Sequence, residues 1–297
     1  MKRMNPIRLD LPQTLPGLDR FLGAWVIPGP PTIVIDPGPK ASIPHLLKGL
    51  QDRGIGRLDY IWLTHIHIDH AGGVADLLTH LPQAGVVSHA QGLRHLVDPG
   101  KLWEGSLKTL KEVARAYGPI GPVPEGSLIG HEAFVLDGLE ILDTPGHAPH
   151  HLAFAYQGRL FAGEAGGIYL PFYSTAYMRP PTPPRFFLEM ALASVEKMLG
   201  LPDQPIFYAH SDWHPHSREM LALYRDQLLL WKEVVAEALR SPAADPLPVA
   251  AKLLLEKDVR LASFKEFSPA DQGRERTFMD NSILGFIGYL QEQGAGR

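Results

Sequence analysis

The run Tyr60-Ile61-Trp62-Leu63 leads directly into Thr64-His65-Ile66-His67-Ile68-Asp69-His70, which sets three histidines and an aspartate within six residues. Four consecutive apolar residues predict a buried strand, of the kind found inside a parallel sheet. Alternate side chains of an extended stretch share a face, so His65 and His67 can aim at one ion while Asp69 and His70, past a bend, serve a second. The chain contains no cysteine, so disulfide frameworks and thiolate metal sites are excluded and any metal is held by histidine and carboxylate. Fourteen histidines supply the donors.

The surrounding pattern is that of strands alternating with helices. Residues 24–27 and 32–35 are β-rich runs around Pro28-Gly29-Pro30-Pro31, and Asp36-Pro37-Gly38 closes the second. Helical spacing predicts helices over 43–53 and 102–117, with a short strand at 85–88 between them. From about residue 132 the period changes to two, predicting strands at 134–136, 139–142, 152–156 and 160–162 with Asp137-Gly138 and Gln157-Gly158 as hairpin turns. A Pro-rich, aromatic segment over 169–187 precedes a helix near 186–199 and a strand at 206–209. Beyond 216, Leu221, Tyr224, Leu228, Trp231, Val235 and Ala238 repeat at spacings of three and four, so that part is helical.

Further candidate ligands stand at strand ends. His147 follows Thr144-Pro145-Gly146, Glu164 follows Ala162-Gly163, and His210 lies between Ala209 and Ser211. His214 and His216 compete with His210, which is preferred for its place at the end of the strand. His89 and His95 are candidate partners of the ligand histidines, and Tyr169, Phe172, Tyr173 and Tyr177 are candidates to line a pocket. Arg179 and Arg185 could pair with a substrate carboxylate, and His150 and His151 lie close to His147 without an assigned part.

The order His-x-His-x-Asp-His, His, acid, His, with Val34-Ile35-Asp36-Pro37-Gly38 before it and Ala71-Gly72-Gly73 inside it, resembles the metallo-β-lactamase superfamily over residues 20–212, and its glyoxalase-II-like hydrolase branch in particular. The resemblance implies an α+β fold, a four-layer αββα sandwich with metals at one rim. It places a catalytic domain at 1–215 and a C-terminal helical extension at 216–297, where glyoxalase II carries substrate-binding helices. That extension is either a pocket wall or a packing and homodimer surface. By motif, His65, His67 and His147 would hold a first divalent ion, Asp69, His70 and His210 a second, and Glu164 would bridge them. The family carries aspartate at this last position, so the extra methylene displaces the carboxylate by about one C–C bond.

The implied activity is that of a metallo-hydrolase attacking an ester, thioester or lactone of a small molecule with metal-bound hydroxide, Asp69 orienting the nucleophile and exchanging a proton. Zinc is the expected metal, and iron and manganese suit the same donors. The alternative is a mononuclear iron enzyme resembling persulfide dioxygenases, held by His65, His147 and Glu164.

Composition narrows the partners. With 28 basic against 32 acidic residues in 297, the formal charge of −4 offers no footprint for nucleic acid. The apolar stretch 282–290 is far shorter than the roughly 18 residues needed to span a bilayer, so no membrane partner is expected. Lys2 and Arg3 are followed by prolines at 6, 12 and 16 rather than a signal-peptide core, and a cytoplasmic protein is expected.

Overall fold

The structure, a computed structural model, describes residues 5–210, 212–242 and 244–295; Lys2, Arg3 and Ser211 lie outside the described residues. The chain divides into two compact units, one running up to Ile141 with His150–Gln157 added, the other comprising Leu142–Pro149 and the chain from Gly158 onward.

In the first unit β1 (Ile7–Asp10), β2 (Gly23–Ile27), β3 (Ile33–Ile35), β4 (Tyr60–Trp62), β5 (Gly85–Ser88) and β6 (Leu128–Gly130) lie side by side in sequence order. The pairings from β1 to β3 are antiparallel and those from β3 to β6 parallel. Parallel neighbours need crossovers, and these carry the helices. They are α1 (Ile43–Gln51), then α2 (Ile68–Ala71) and α3 (Val74–His80), then α4 (Ala90–Val97), α5 (Gly100–Leu110) and α6 (Glu112–Tyr117). On α1, Ile43, Leu46 and Leu50 form the buried stripe that the sequence spacing indicates.

The single helix expected over 102–117 is two, because Lys111 takes a φ of 51° and separates α5 from α6. Lysine gives no breaker signal, so apolar spacing alone runs through the joint. Residues 134–136 are not a strand. Phe134 instead sets its ring edge-on to Tyr60 at 4.8 Å, and the strand of this region is the earlier β6. After β7 (Leu139–Asp143), which runs on into the second unit, β8 (Leu152–Tyr156) returns to the first. There the fully buried Trp62 stacks on Phe154, with centroids 5.0 Å apart, and meets Tyr156 edge-on at 5.3 Å. This aromatic cluster fixes the strand that carries the histidine motif.

The second unit contains β9 (Leu160–Gly163), β10 (Ile168–Leu170), β11 (Tyr177–Arg179), α7 (Leu188–Leu199), β12 (Ile206–Tyr208), β13 (Trp213–His214), α8 (Ser217–Leu239), α9 (Pro246–Lys257) and α10 (Pro269–Ala295). β12 runs parallel to β9 and antiparallel to β13, and β10 and β11 form a hairpin within the Pro-rich segment, where the sequence suggested no strand. The helical stripe read from 221 to 238 is buried on α8, which packs against α7, α9 and α10. From the same helix Gln227 Nε2 donates to the Asp258 carboxylate at 2.7 Å and Trp231 Nε1 at 2.8 Å. None of the described helices is long and apolar enough to cross a membrane.

Candidate metal centre

In the first unit β4 is held on both sides, by β3 and by β5, so the chain leaves it from a fixed point. Leu63 N–H donates to the Val87 carbonyl (2.9 Å), and Asp36 N–H donates to that of Trp62 (3.0 Å). Asp36 then organises the loop. Its Oδ1 accepts from the Thr64 backbone N–H at 2.8 Å, and its Oδ2 accepts from the Thr64 hydroxyl at 2.7 Å. The same Oδ2 lies 3.0 Å from Nδ1 of His70. A carboxylate can only accept, so Nδ1 of His70 carries a proton, and Nε2, 3.5 Å from Asp69 Oδ2, is the nitrogen that would give a lone pair to an ion once its own proton leaves. Asp36 does this at a φ of 51°, a left-handed conformation that Asp and Asn tolerate better than other residues with a Cβ.

The bend between His67 and Asp69 is the start of α2, with His67 extended at its N-cap. Gly72 and Gly73 let this short helix close onto the loop after β3. A Cβ on Gly73 would meet Ile43 Cδ1 at 2.4 Å, and the Gly73 N–H donates to the Gly38 carbonyl at 2.9 Å. In the result His65 Nε2 and His67 Nδ1 are 2.9 Å apart, and the His65 ring is 4.1 Å from that of His70. His65 and His70 are buried, while His67 and Asp69 are half-buried. Burial opposes the charged form of His70, but the carboxylates of Asp69 and Asp36 outweigh it and hold the pKa well above the ordinary imidazole value. All four motif residues thus converge within this unit.

In the second unit three strand ends converge in the same way. The segment after β7 crosses α7 closely: Lys197 Nζ donates to the Asp143 carbonyl at 2.5 Å and Ser194 Oγ to that of Pro145 at 2.6 Å. Gly146 is needed there, because at a φ of 145° a Cβ would stand 2.8 Å from Ala191 Cα. His147 follows, its Nδ1 donating to the Pro181 carbonyl at 2.6 Å and its Nε2 lying 2.9 Å from Glu164 Oε2. From the other side His210 Nε2 lies 3.4 Å from Glu164 Oε1.

Glu164 is delivered by β9, where the pairing with β12 slips: Phe207 faces Phe161 but Tyr208 faces Gly163, so Ala162 is an extra residue. Such a bulge re-aims the chain, at the point where this sequence carries glutamate in place of aspartate. Burial alone would raise the pKa of Glu164, but His147 and then His210 pull it well below the usual carboxylate range. His147, Glu164, Thr182, Phe186 and Tyr224 line a small pocket in this unit.

The other candidates are accounted for differently. His216 is exposed and bound to Asp203 at 2.9 Å, and the His214 ring meets Tyr169 edge-on at 5.9 Å; His210, not these two, is the histidine on Glu164. His89 caps α4 and stacks on His131 at 4.6 Å, and His95 accepts from Arg94. His151, which the sequence reading left without a part, is fully buried and stacks on His65 at 5.1 Å. Arg179 is buried against Glu275 at 2.5 Å rather than presented to a ligand, and Arg185 lies over the Phe187 ring. Tyr169 and Tyr177 are core residues, Tyr173 stacks on Phe267, and Phe172 is exposed.

The donor set suits divalent ions of borderline hardness: imidazole nitrogens and carboxylate oxygens, with buried carboxylate and carbonyl partners fixing the tautomers of His70 and His147. Asp36 and the Pro181 carbonyl were not read from the sequence as such partners. Asp36 stands inside a motif that carries the family resemblance, but a main-chain carbonyl leaves no residue-type signal.

Residues 24–210 match the metallo-beta-lactamase superfamily. A metallo-beta-lactamase fold-containing protein of Sulfurisphaera tokodaii is 30% identical over 60% of this chain and 68% of its own. A hydroxyacylglutathione hydrolase of Photobacterium profundum is 29% identical over 60% of this chain, and the match spans only 56% of that enzyme. Another, from Tolumonas auensis, is 25% identical over 91% of this chain and 93% of its own. Among solved structures, an archaeal metallo-beta-lactamase superfamily protein from Sulfolobus tokodaii superposes with a TM-score of 0.69 over 95% of this chain and 98% of its own at 22% identity. A metallo-beta-lactamase family protein from Thermus thermophilus gives 0.64 over 98% and 94% at 21% identity, so both share the fold. The α+β sandwich fold with C-terminal helices, the histidine motif at the end of β4 and the match over most of the chain agree, and the protein belongs to the metallo-beta-lactamase superfamily.

Proposed function

We propose that the protein is a metal-dependent hydrolase of a small-molecule ester, thioester or lactone, in which the two ligand sets serve one dinuclear centre. His65, His67 and His147 hold the first ion, Asp69, His70 and His210 the second, and Glu164 bridges. The observation that carries this reading is the environment of Glu164, a buried carboxylate with His147 on one oxygen and His210 on the other, one histidine from each ligand set. When bound, the ions would supply a nucleophile from water at neutral pH and offset negative charge developing on the substrate oxygen.

The chain's own residues do the rest. Asp69 is the half-buried member of its set, so its carboxylate is open to orient the attacking water and to take and return a proton. Asp36 and the Pro181 carbonyl hold His70 and His147 in the tautomers that leave Nε2 available. A hydroxyacylglutathione, after which two of the relatives are named, is a thioester, and this favours thioesters within the class.

Elemental analysis of protein purified without chelator or a metal-binding tag tests the reading, followed by assays on thioesters and lactones. About two zinc or manganese ions per chain with hydrolysis that is lost in Asp69→Ala is the expected result. One iron per chain with oxygen consumption on a persulfide would overturn it.

A further inference from the structure

The helix α10 lies along the segment Pro180-Pro181-Thr182-Pro183-Pro184, and the two are fitted to each other within the second unit. Four of these five residues are prolines, which have no N–H and hold φ near −65°, so the segment is stiff and presents mainly carbonyls. One face of α10, at spacings of three and seven, supplies Glu275, Ser282, Gly285 and Gly288. The Ser282 hydroxyl donates to the Pro180 carbonyl at 2.7 Å, and the Thr182 hydroxyl donates to the Ser282 carbonyl at 2.8 Å. Gly285 gives room for the approach: a Cβ there would stand 2.3 Å from the Pro183 oxygen, and one on Gly288 would stand 3.2 Å from that of Pro184. Glu275 anchors the start of the segment through Arg179. Between these anchors stands Pro181, whose carbonyl accepts from His147 Nδ1.

We propose that α10 acts through this proline strap as the positioning element for His147, setting the tautomer and direction of its ring for metal binding. The segment has few donors of its own, so its position is dictated by what the helix donates to it and by how closely the glycines let it approach. Ser282, Thr182 and Gly285 are positioning residues, acting on the ligand through the Pro181 carbonyl. The C-terminal helix then has a part in the metal centre without contributing a ligand. The inference rests on His147 being a ligand, as proposed above.

The test uses the full chain with Thr182→Val, which keeps the shape and removes the hydroxyl, and Thr182→Ser, which keeps the hydroxyl. Gly285→Ala is a second probe and His147→Ala the reference. Two readouts are taken: metal affinity by competition with a chromophoric chelator, and the hydrogen bond from His147 Nδ1–H to the Pro181 carbonyl in metal-free protein by nitrogen-15 NMR, with thermal melts as the control for folding. Thr182→Val is expected to lower the affinity for one ion about 3- to 10-fold, less than the roughly 10- to 100-fold of losing a ligand's direct partner, because the Pro181 carbonyl remains. It should also weaken the Nδ1–H bond, with Thr182→Ser restoring both. If His147→Ala removes an ion while Thr182→Val and Gly285→Ala keep wild-type affinity and the wild-type Nδ1–H signal, the strap does not position the ligand and the inference falls. If His147→Ala leaves metal content unchanged, it is the ligand assignment that fails, while the Nδ1–H readout still reports on the strap.

Discussion

Replacing Asp36 by Asn isolates the charge of one carboxylate from its shape. Asn tolerates the left-handed φ of 51° as well as Asp does, so the loop after β3 is not strained by the change. The amide oxygen can replace Oδ1 and keep the bond from the Thr64 N–H, but the amide nitrogen then takes the place of Oδ2. That nitrogen donates. The Thr64 hydroxyl can rotate to accept it, whereas Nδ1 of His70 can accept only by giving up its proton, which leaves the proton on Nε2, the atom proposed to bind the ion.

Two magnitudes follow. A charge-assisted bond of about 1.5–3 kcal/mol becomes a neutral one of about 0.5–1.5 kcal/mol, so the metal-free protein loses on the order of 1–2 kcal/mol. Affinity for the ion proposed to bind His70 should fall about 10- to 100-fold. The stability loss has a pH signature. His70 has a folded pKa raised above its unfolded value near 6.5, so its pairing with carboxylates contributes fully below about pH 6.5 and is lost as the pH rises through the elevated folded value. Urea unfolding of metal-free wild type and Asp36→Asn should therefore differ most at pH 5.5–6 and converge in alkali. Equal metal affinity within twofold, or a gap that widens with rising pH, would refute the assignment of Asp36 as the partner that sets His70.

Glu164→Gln keeps the volume but removes the charge facing His147 and His210, and metal analysis should find at least one ion lost per chain. Because the folded pKa of Glu164 is depressed, its contribution to the metal-free protein is present above about 4.5 and lost as the pH falls through the lowered value, so the variant should be less stable at pH 6–7 by about 1.5–3 kcal/mol and indistinguishable in strong acid. Glu275→Gln leaves Arg179 buried opposite a neutral amide, with Arg274 also losing one of its two carboxylate partners while Asp271 remains, and should cost about 3–5 kcal/mol in urea unfolding.

The legible part of the fold was what residue type and period encode. Alternation and apolar runs located β2 to β5, β8, β9 and β12 to within a residue or two, and the stripe from Leu221 to Ala238 gave α8. The failures share a cause. The break at Lys111 is a backbone event at a residue with ordinary helix propensity, and the strand expected at 134–136 is a segment whose aromatic packs on Tyr60 and Trp62 from outside the sheet. β10 and β11 were hidden by flanking prolines, which argue against strands only where a ladder N–H is required.

The same distinction runs through the site. His65, His67, Asp69 and His70 stand out as candidate ligands because metal-binding side chains fall at a short spacing, and His147, Glu164 and His210 because, at strand ends, they complete the order of the family motif. What the sequence could not display is how the rings are aimed. His70 is aimed by a side chain 34 positions away across two adjacent strands, and His147 by a main-chain oxygen that is equally far along the chain and belongs to a proline. A carbonyl is common to every residue type, so its use is written only in the packing that delivers it, here by a threonine beside it and by serine and glycine along a helix a further hundred residues downstream. Residue types thus indicate which atoms can bind an ion, while the packing of apolar and small residues decides whether those atoms are held in a state to do so.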